Sequence, residues 1–457
     1  MRDKLKIAVI GAGSAQFSMV LVRDLALTPG LNDCAVFFMD IDADRLGLIA
    51  KLAEKFVRET DARITFKFTL NRIEAIAGAD FVINTALAGG HDQMEKERDA
   101  QEKNGYYRGI AVHAPYRQLK LMHDVAIDVE KYARPGVYLI QCSNPLPEGC
   151  TLMARETSIN IIGLCHGHLP YRDLALALGV SPERVRFEAT GINHCIWLTR
   201  FEIDGTDGYL RINEWIEKKS EEYWSTWTPH HEDKQMSPAA ISLFRTYGLM
   251  PIGDTCRASW PEAWWYHVNQ QAKIKWWGPD GGVDGEKGWL LHLKRMEDRL
   301  ALIRTAAEDE KVSITSVFPA EKSNEQIAPI IDSIVNNREG IYQVNIPNKG
   351  SVRGLPDDFF VEVPAYIDGS GIRRKDIYPI PPKIMHGALF PRWLLAERII
   401  GAYRTGDIGY ILQVYLSDHR TLSREQAEKT ICDVAQLKGN ESMAAHFKSS
   451  MKDLLHV

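Results

Sequence analysis

The chain has 457 residues, 45% of them hydrophobic and 25% charged, with a formal net charge of -5. That length leaves room for two structural units sharing an interface, and so slight an acidic excess gives no extended field for nucleic acid or another polyanion. There is no run of about 18 apolar residues, and the short apolar stretch near Met1 runs straight into glycines, so neither a membrane span nor a signal peptide is expected.

The first 190 residues alternate between strand-like and helix-like patterns. Lys6–Ile10 is a short apolar strand that enters Gly11-Ala12-Gly13-Ser14, then an amphipathic helix from about Gln16 to Thr28. Ala35–Asp40 is a second strand with a helix after it through about Glu59, and Ile64–Phe68 a third. Asp80–Ala86, Val137–Cys142 and Ile161–Leu164 follow, with the continuous apolar runs of strands buried on both faces. Strands alternating with helices predict a doubly wound parallel α/β sheet.

Beyond Gly191 the texture changes, and ten of the eleven tryptophans stand at or after Trp215. Helical patterns cover Pro238–Tyr247, Gly288–Ala307, Gln326–Asn336 and Pro391–Tyr403; Val344–Ile346 and Phe359–Pro364 alternate like strands; Tyr223–His231 and Trp276–Gly288 read as loops. The expected division is 1–190 for the parallel sheet and 191–457 for a mixed α+β unit, without internal repeats. Core or subunit interface is the default place for the indoles.

A glycine turn between a strand and a helix brings backbone N–H groups up to a pyrophosphate and aims a helix N-terminus at its charge. Gly11 and Gly13 occupy the first two positions of a Rossmann-like GxGxxG, with Gln16 where the third glycine would stand. Asp40 ends the second strand, where an acid accepts hydrogen bonds from a ribose 2′-OH and favours NAD over NADP. Ser14 and Asn84 complete the candidate cofactor contacts. A tight turn without a ligand is the plainer alternative.

Cys165 and His166 follow the sixth strand in LCHGH, and Gly191-Ile192-Asn193-His194 comes later. The spacing is no zinc-finger pattern. Two ligands alone would leave a divalent ion open to substrate oxygens, as a Lewis acid needs; a buried free cysteine beside a satisfied histidine is the other reading. The seven cysteines are odd in number and irregularly spaced, which fits a reducing cytoplasm better than a disulfide framework.

Together the GAGS turn, Asn144-Pro145, CHGH, GINH and YGLMPIGD, in that order over nearly the whole chain, resemble glycoside hydrolase family 4. That family is known as an NAD-dependent exception to two-carboxylate glycosidases. The resemblance implies a lactate/malate dehydrogenase-like fold, a homodimer or homotetramer, NAD and a divalent metal, usually Mn2+. It further implies oxidation at C3 of the sugar, removal of the C2 proton, elimination of the C1 substituent, addition of water and return of the hydride.

Carried over residue by residue, Cys165 and His194 match the metal ligands, Asn144 and Asn193 match contacts to the substrate, and His166 matches the acid that assists the leaving group. Asp254 matches the C2 base, with Tyr247 as fallback, and burial among Trp260, Trp264 and Trp265 would raise its pKa. Thr255-Cys256-Arg257 follows where many members carry a histidine. The CHGx form, with Tyr106–Ile110 and Gln235–Arg257, resembles the α-glucuronidase subgroup; α-galacturonidases, α-glucosidases and α-galactosidases are the neighbouring alternatives. Gly167 would vacate room for a uronate carboxylate, and Arg257 would grip it in a two-point bond, with Arg108 or His168 as substitutes. A 2-hydroxy acid dehydrogenase and a non-catalytic NAD sensor are the competing readings from other classes.

Overall fold

The computed structural model describes residues 4–15, 17–107, 115–226, 235–257 and 265–454. Gln16, Arg108, Trp260 and Trp264 therefore lie outside the described residues, as does 227–231 of the segment read as a loop.

Six parallel strands form the first half: β1 (Lys6–Ile10), β2 (Ala35–Met39), β3 (Thr65–Thr69), β4 (Phe81–Asn84), β5 (Tyr138–Gln141) and β6 (Asn160–Gly163). Each lies within two residues of its predicted limits. Their order is β6-β5-β4-β1-β2-β3. The order reverses between β1 and β4, and a doubly wound sheet opens its crevice at such a reversal. Ile7, Val9, Val82 and Ile140 are fully buried because helices cover both faces.

Seven further strands extend the sheet: β7 (Val185–Ile192), β8 (Cys195–Ile203), β9 (Thr206–Asp207), β10 (Pro251–Ile252), β11 (Gly340–Pro347), β12 (Phe360–Asp368) and β13 (Gly371–Arg374). They continue from β6 in the order β11-β12-β7-β8-β10, all antiparallel. Residue 190 falls inside β7, so the sheet passes unbroken through that boundary. The predicted helices appear at Pro238–Tyr247, Glu286–Glu308, Ile327–Asn336 and Phe390–Thr405. One loop expectation is corrected: Tyr223–Thr226 is the last turn of a helix from Tyr209, whose Trp215 packs edge-on against Tyr223. Likewise Trp276 and Trp277 close one helix, and Glu286 opens the next. Trp197, Trp215, Trp277 and Trp289 are buried, while Trp265 is exposed. Among the described residues, no helix is long and apolar enough to cross a membrane.

Candidate active site

β7 and β8 form a hairpin whose two-residue turn is Asn193-His194, closed by the pair Ile192–Cys195. His194 turns at φ 62°, in the left-handed region that histidine tolerates better than most residues. The turn lies beside the end of β6, where the chain leaves Gly163 for Cys165. The result is a Cys165 Sγ to His194 Nε2 separation of 3.6 Å.

A third segment arrives from the helix Pro238–Tyr247. Ser237 caps its N-terminus by accepting from Ala240 N, and Gly248 ends it at φ 86°. β10 then pairs with Ile196 and Trp197 of β8, and Thr255 Oγ1 accepts from Ile196 N at 2.7 Å and donates to Ile196 O at 2.9 Å. Gly253, at φ 60°, lets this loop touch the CHGH loop: a Cβ there would stand 2.0 Å from Gly167 O. Asp254 Oδ2 consequently lies 3.2 Å from His194 Nε2. Cysteine, histidine and aspartate from three separate segments thus converge on one point at the C-terminal ends of the parallel strands.

Burial, reinforced by the charges of Glu362 and Asp254, pushes the Cys165 thiol up to about 12 without a cation nearby. Two donors on one tetrahedral ion, at about 2.3 Å for sulfur and about 2.1 Å for nitrogen, stand about 3.6 Å apart. The Cys165–His194 pair has that spacing, so the donor set fits a divalent ion with open positions. Among the described residues, no group of three or more His, Cys, Asp or Glu is placed to hold a metal ion together.

The nucleotide turn is also formed. Gly11 has φ 88°, and a Cβ on it would stand 2.6 Å from the Ala86 backbone. Gly13 N donates to Asp40 Oδ2 at 2.7 Å, tying the end of β2 to the turn. Ser14 Oγ accepts from Phe17 N at 3.3 Å, just ahead of the helix Ser18–Ala26.

Comparison with known proteins bears directly on this arrangement. Residues 6–178 match the model of the family 4 glycosyl hydrolases, and residues 189–421 match that of the family's C-terminal domain. The chain belongs to glycosyl hydrolase family 4. An α-galacturonidase of Thermoanaerobacter italicus is 25% identical over 452 residues, covering 93% of this chain and 95% of that protein. A 6-phospho-alpha-glucosidase from gut microorganisms, solved with NAD and glucose-6-phosphate, superimposes with a TM-score of 0.77 at 19% identity, covering 96% of this chain and 98% of its own. A 6-phospho-beta glucosidase of Thermotoga maritima, solved with manganese, NAD+ and glucose-6-phosphate, gives 0.73 at 19% identity, covering 94% and 98%.

Three of the expected site residues engage other groups of the protein itself. Asn84 is fully buried; its side chain donates to Gln141 Oε1 at 2.9 Å and accepts from Ala86 N at 3.2 Å, so it shapes the strand ends. Asn193 is buried and donates to Glu362 Oε2 at 2.9 Å, which supports the turn. Arg257 spends its fork on Asp284, at 2.9 and 2.8 Å, and reaches Asp254 at 3.2 Å. Although burial alone would raise the Asp284 pKa, the guanidinium holds that carboxyl well below its usual range. The two-point edge meant for a uronate is therefore occupied by a structural ion pair.

Other expectations divide. Asn144 is exposed at the end of β5, with no hydrogen bond from its side chain among the described residues. His166 is largely exposed, its Nδ1 3.8 Å from Glu325 Oε1. His168 is buried against Phe187, and burial, with His166 next to it, lowers its pKa to about 4, so it offers no charge to a carboxylate near neutrality. Tyr247 donates to Gly387 O at 3.2 Å. Asp254 sits among His194 and Arg257, and Trp265 is exposed.

Sequence reasoning missed Glu325 and Glu362. Glu325 comes from a loop some 160 residues from His166 in sequence, with no local signal. Glu362 had one: an acid in the apolar strand FFVEVP is rarely buried unless paired. Burial raises its pKa to about 7, against the lowering influence of the side-chain amides of Asn193, Gln343 and Asn345.

Proposed function

We propose that this family 4 enzyme hydrolyses α-linked hexuronides, with α-glucuronides as the preferred class, using NAD and a divalent metal. The convergence of Cys165, His194 and Asp254 beside the room left by Gly167 carries this reading. A Cβ on Gly167 would meet only Cys165 Sγ at 3.8 Å and Ile196 Cδ1 at 3.9 Å.

When bound, NAD supplies a hydride acceptor and the metal a Lewis acid for sugar oxygens. Cys165 and His194 would hold the ion, and the Gly11–Ser14 turn would receive the pyrophosphate over a helix N-terminus. Asp254 takes the proton from C2, being the carboxylate next to the ligand pair. His166, exposed at the rim, donates a proton to the departing oxygen, and Glu325 faces its other ring nitrogen. Asn144 contacts sugar hydroxyls from the end of β5. α-Galacturonides are the second reading, favoured by the full-length similarity to the Thermoanaerobacter italicus α-galacturonidase.

The test uses 4-nitrophenyl α-D-glucuronide with NAD+, Mn2+ and a reductant, each omitted in turn, beside the α-galacturonide, α-glucoside and α-galactoside. Nitrophenol release that requires both NAD+ and Mn2+, with no net NADH, is expected. Release from neutral glycosides alone would overturn the uronide reading, and NADH accumulating with a 2-hydroxy acid would replace the glycosidase by a dehydrogenase.

A further inference from the structure

Four glutamates are buried among the described residues: Glu148, Glu188, Glu362 and Glu428. Three face a cation. Glu148 meets Arg392 at 2.6 Å, Glu188 meets Lys375 at 2.8 Å and Glu428 meets Arg424 at 2.6 Å. Glu362 is 1% exposed and has no basic side chain within ion-pair distance among the described residues. A buried carboxyl is costly unless it is paired with positive charge or protonated.

Its location suggests the missing charge. Gly163, Asn345, Glu362 and Gly191 form one row across β6, β11, β12 and β7. Cys165 lies two residues beyond one end of that row and His194 three beyond the other. Asn345 packs this closely on Gly163 only because that residue has no side chain: a Cβ there would stand 2.8 Å from Asn345 Cβ. At the opposite end, Glu362 Oε2 accepts from Asn193 Nδ2 at 2.9 Å, one residue before the left-handed His194. Glu362 Oε1 is buried with no hydrogen bond of good geometry, the amides of Gln343 and Asn345 being its polar neighbours. A thiolate and a neutral imidazole bring one negative charge to a doubly charged ion, and a carboxylate in the row below brings another.

We propose that Glu362 is a positioning residue of the metal centre: it fixes the Asn193-His194 turn and supplies buried negative charge to the cation held by Cys165 and His194. This rests on the metal-dependent reading above. It assigns Glu362 no contact with substrate. Partners behind metal ligands typically change affinity by about 10–100-fold when removed.

The experiment measures Mn2+ binding to the NAD-loaded protein by the electron paramagnetic resonance of free Mn2+, with NAD affinity measured separately. Glu362→Gln keeps an acceptor for Asn193 and removes the charge; it should weaken Mn2+ at least about tenfold while NAD affinity and melting temperature hold. Asn193→Ala cuts the link from the other side and should weaken Mn2+ in the same direction, so the inference does not depend on one variant folding. Mn2+ affinity unchanged in Glu362→Gln, or lost together with NAD affinity, would overturn it. Wild-type protein that binds no Mn2+ would overturn the metal reading itself, and this inference with it.

Discussion

Strands β1, β4, β5 and β6 bury hydrocarbon in mid-strand, and polar groups stand only at their ends, as where Asn84 and Gln141 close β4 and β5 and bond each other. β7, β11 and β12 instead bury Thr190, Gln343, Asn345 and Glu362 in mid-strand. An apolar strand accepts another hydrocarbon of similar volume at small cost. A buried polar row must be satisfied group by group, so it prescribes what stands above it. The first half thus builds a platform, and the second makes the end of β6 a chemical site.

The sharpest break between the halves lies in Asp254→Asn. The substitution keeps the shape of the side chain and removes the base. A fall of about 10²–10⁴ in kcat/KM is expected from loss of general-base catalysis, with NAD affinity little changed. Exchange of the C2 proton with solvent deuterium checks the assignment: if the Asp254→Asn variant still exchanges it at the wild-type rate, the base lies elsewhere and Tyr247 returns to consideration.

Arg257→Met tests whether the guanidinium is structural. Breaking a buried pair by removing one partner costs about 3–5 kcal/mol, and here it would strand Asp284, which is nearly inaccessible. Denaturant unfolding should show that loss, with activity on uronides and on neutral glycosides falling alike. A variant as stable as wild type but selectively poor on uronides would restore Arg257 as the carboxylate grip.

On the hydrocarbon side, Ile140→Ala should cost about 2–5 kcal/mol in stability and leave the Mn2+ and NAD affinities of the folded fraction unchanged. Urea titration and ligand binding on one preparation measure both. A matching loss of Mn2+ affinity would show that the platform and the site are not separable in this way.

The two halves were also unequally legible. Runs such as KIAVI and FVINTA announce strands buried on both faces, and the GAGS turn marks the reversal beside β1. From the residues the pairing of Cys165 with His194 was one of two open readings and only the resemblance chose it, because 29 residues and a whole strand separate them and the β7–β8 hairpin folds one back on the other. Which group Arg257 pairs with was not legible, because Asp284 lies beyond a helix, in a stretch that reads as loop. Asn193 was read as facing the substrate because a motif gives no side-chain direction; the register of β7 on β12 sends it down to Glu362.

The gentlest substitution probes the contact between the two active-site loops. Gly253 and Gly167 face each other, yet they differ in what they exclude. Gly253→Ala would place a Cβ against Gly167 O at a left-handed φ, so the loops must part and about 1–3 kcal/mol of stability should go, with Asp254 displaced and activity lost. Gly167→Ala meets only ordinary contacts, and its stability should stay within about 0.5 kcal/mol of wild type. The methyl group nevertheless enters the space beside Cys165 Sγ that the proposed function reserves for the sugar. The ratio of kcat/KM for the α-glucuronide over the α-glucoside should therefore fall several-fold in Gly167→Ala while the melting curve does not move. An unchanged ratio would mean that the carboxylate is read from another wall of the site, and that Gly167 is there for the approach of Gly253 alone.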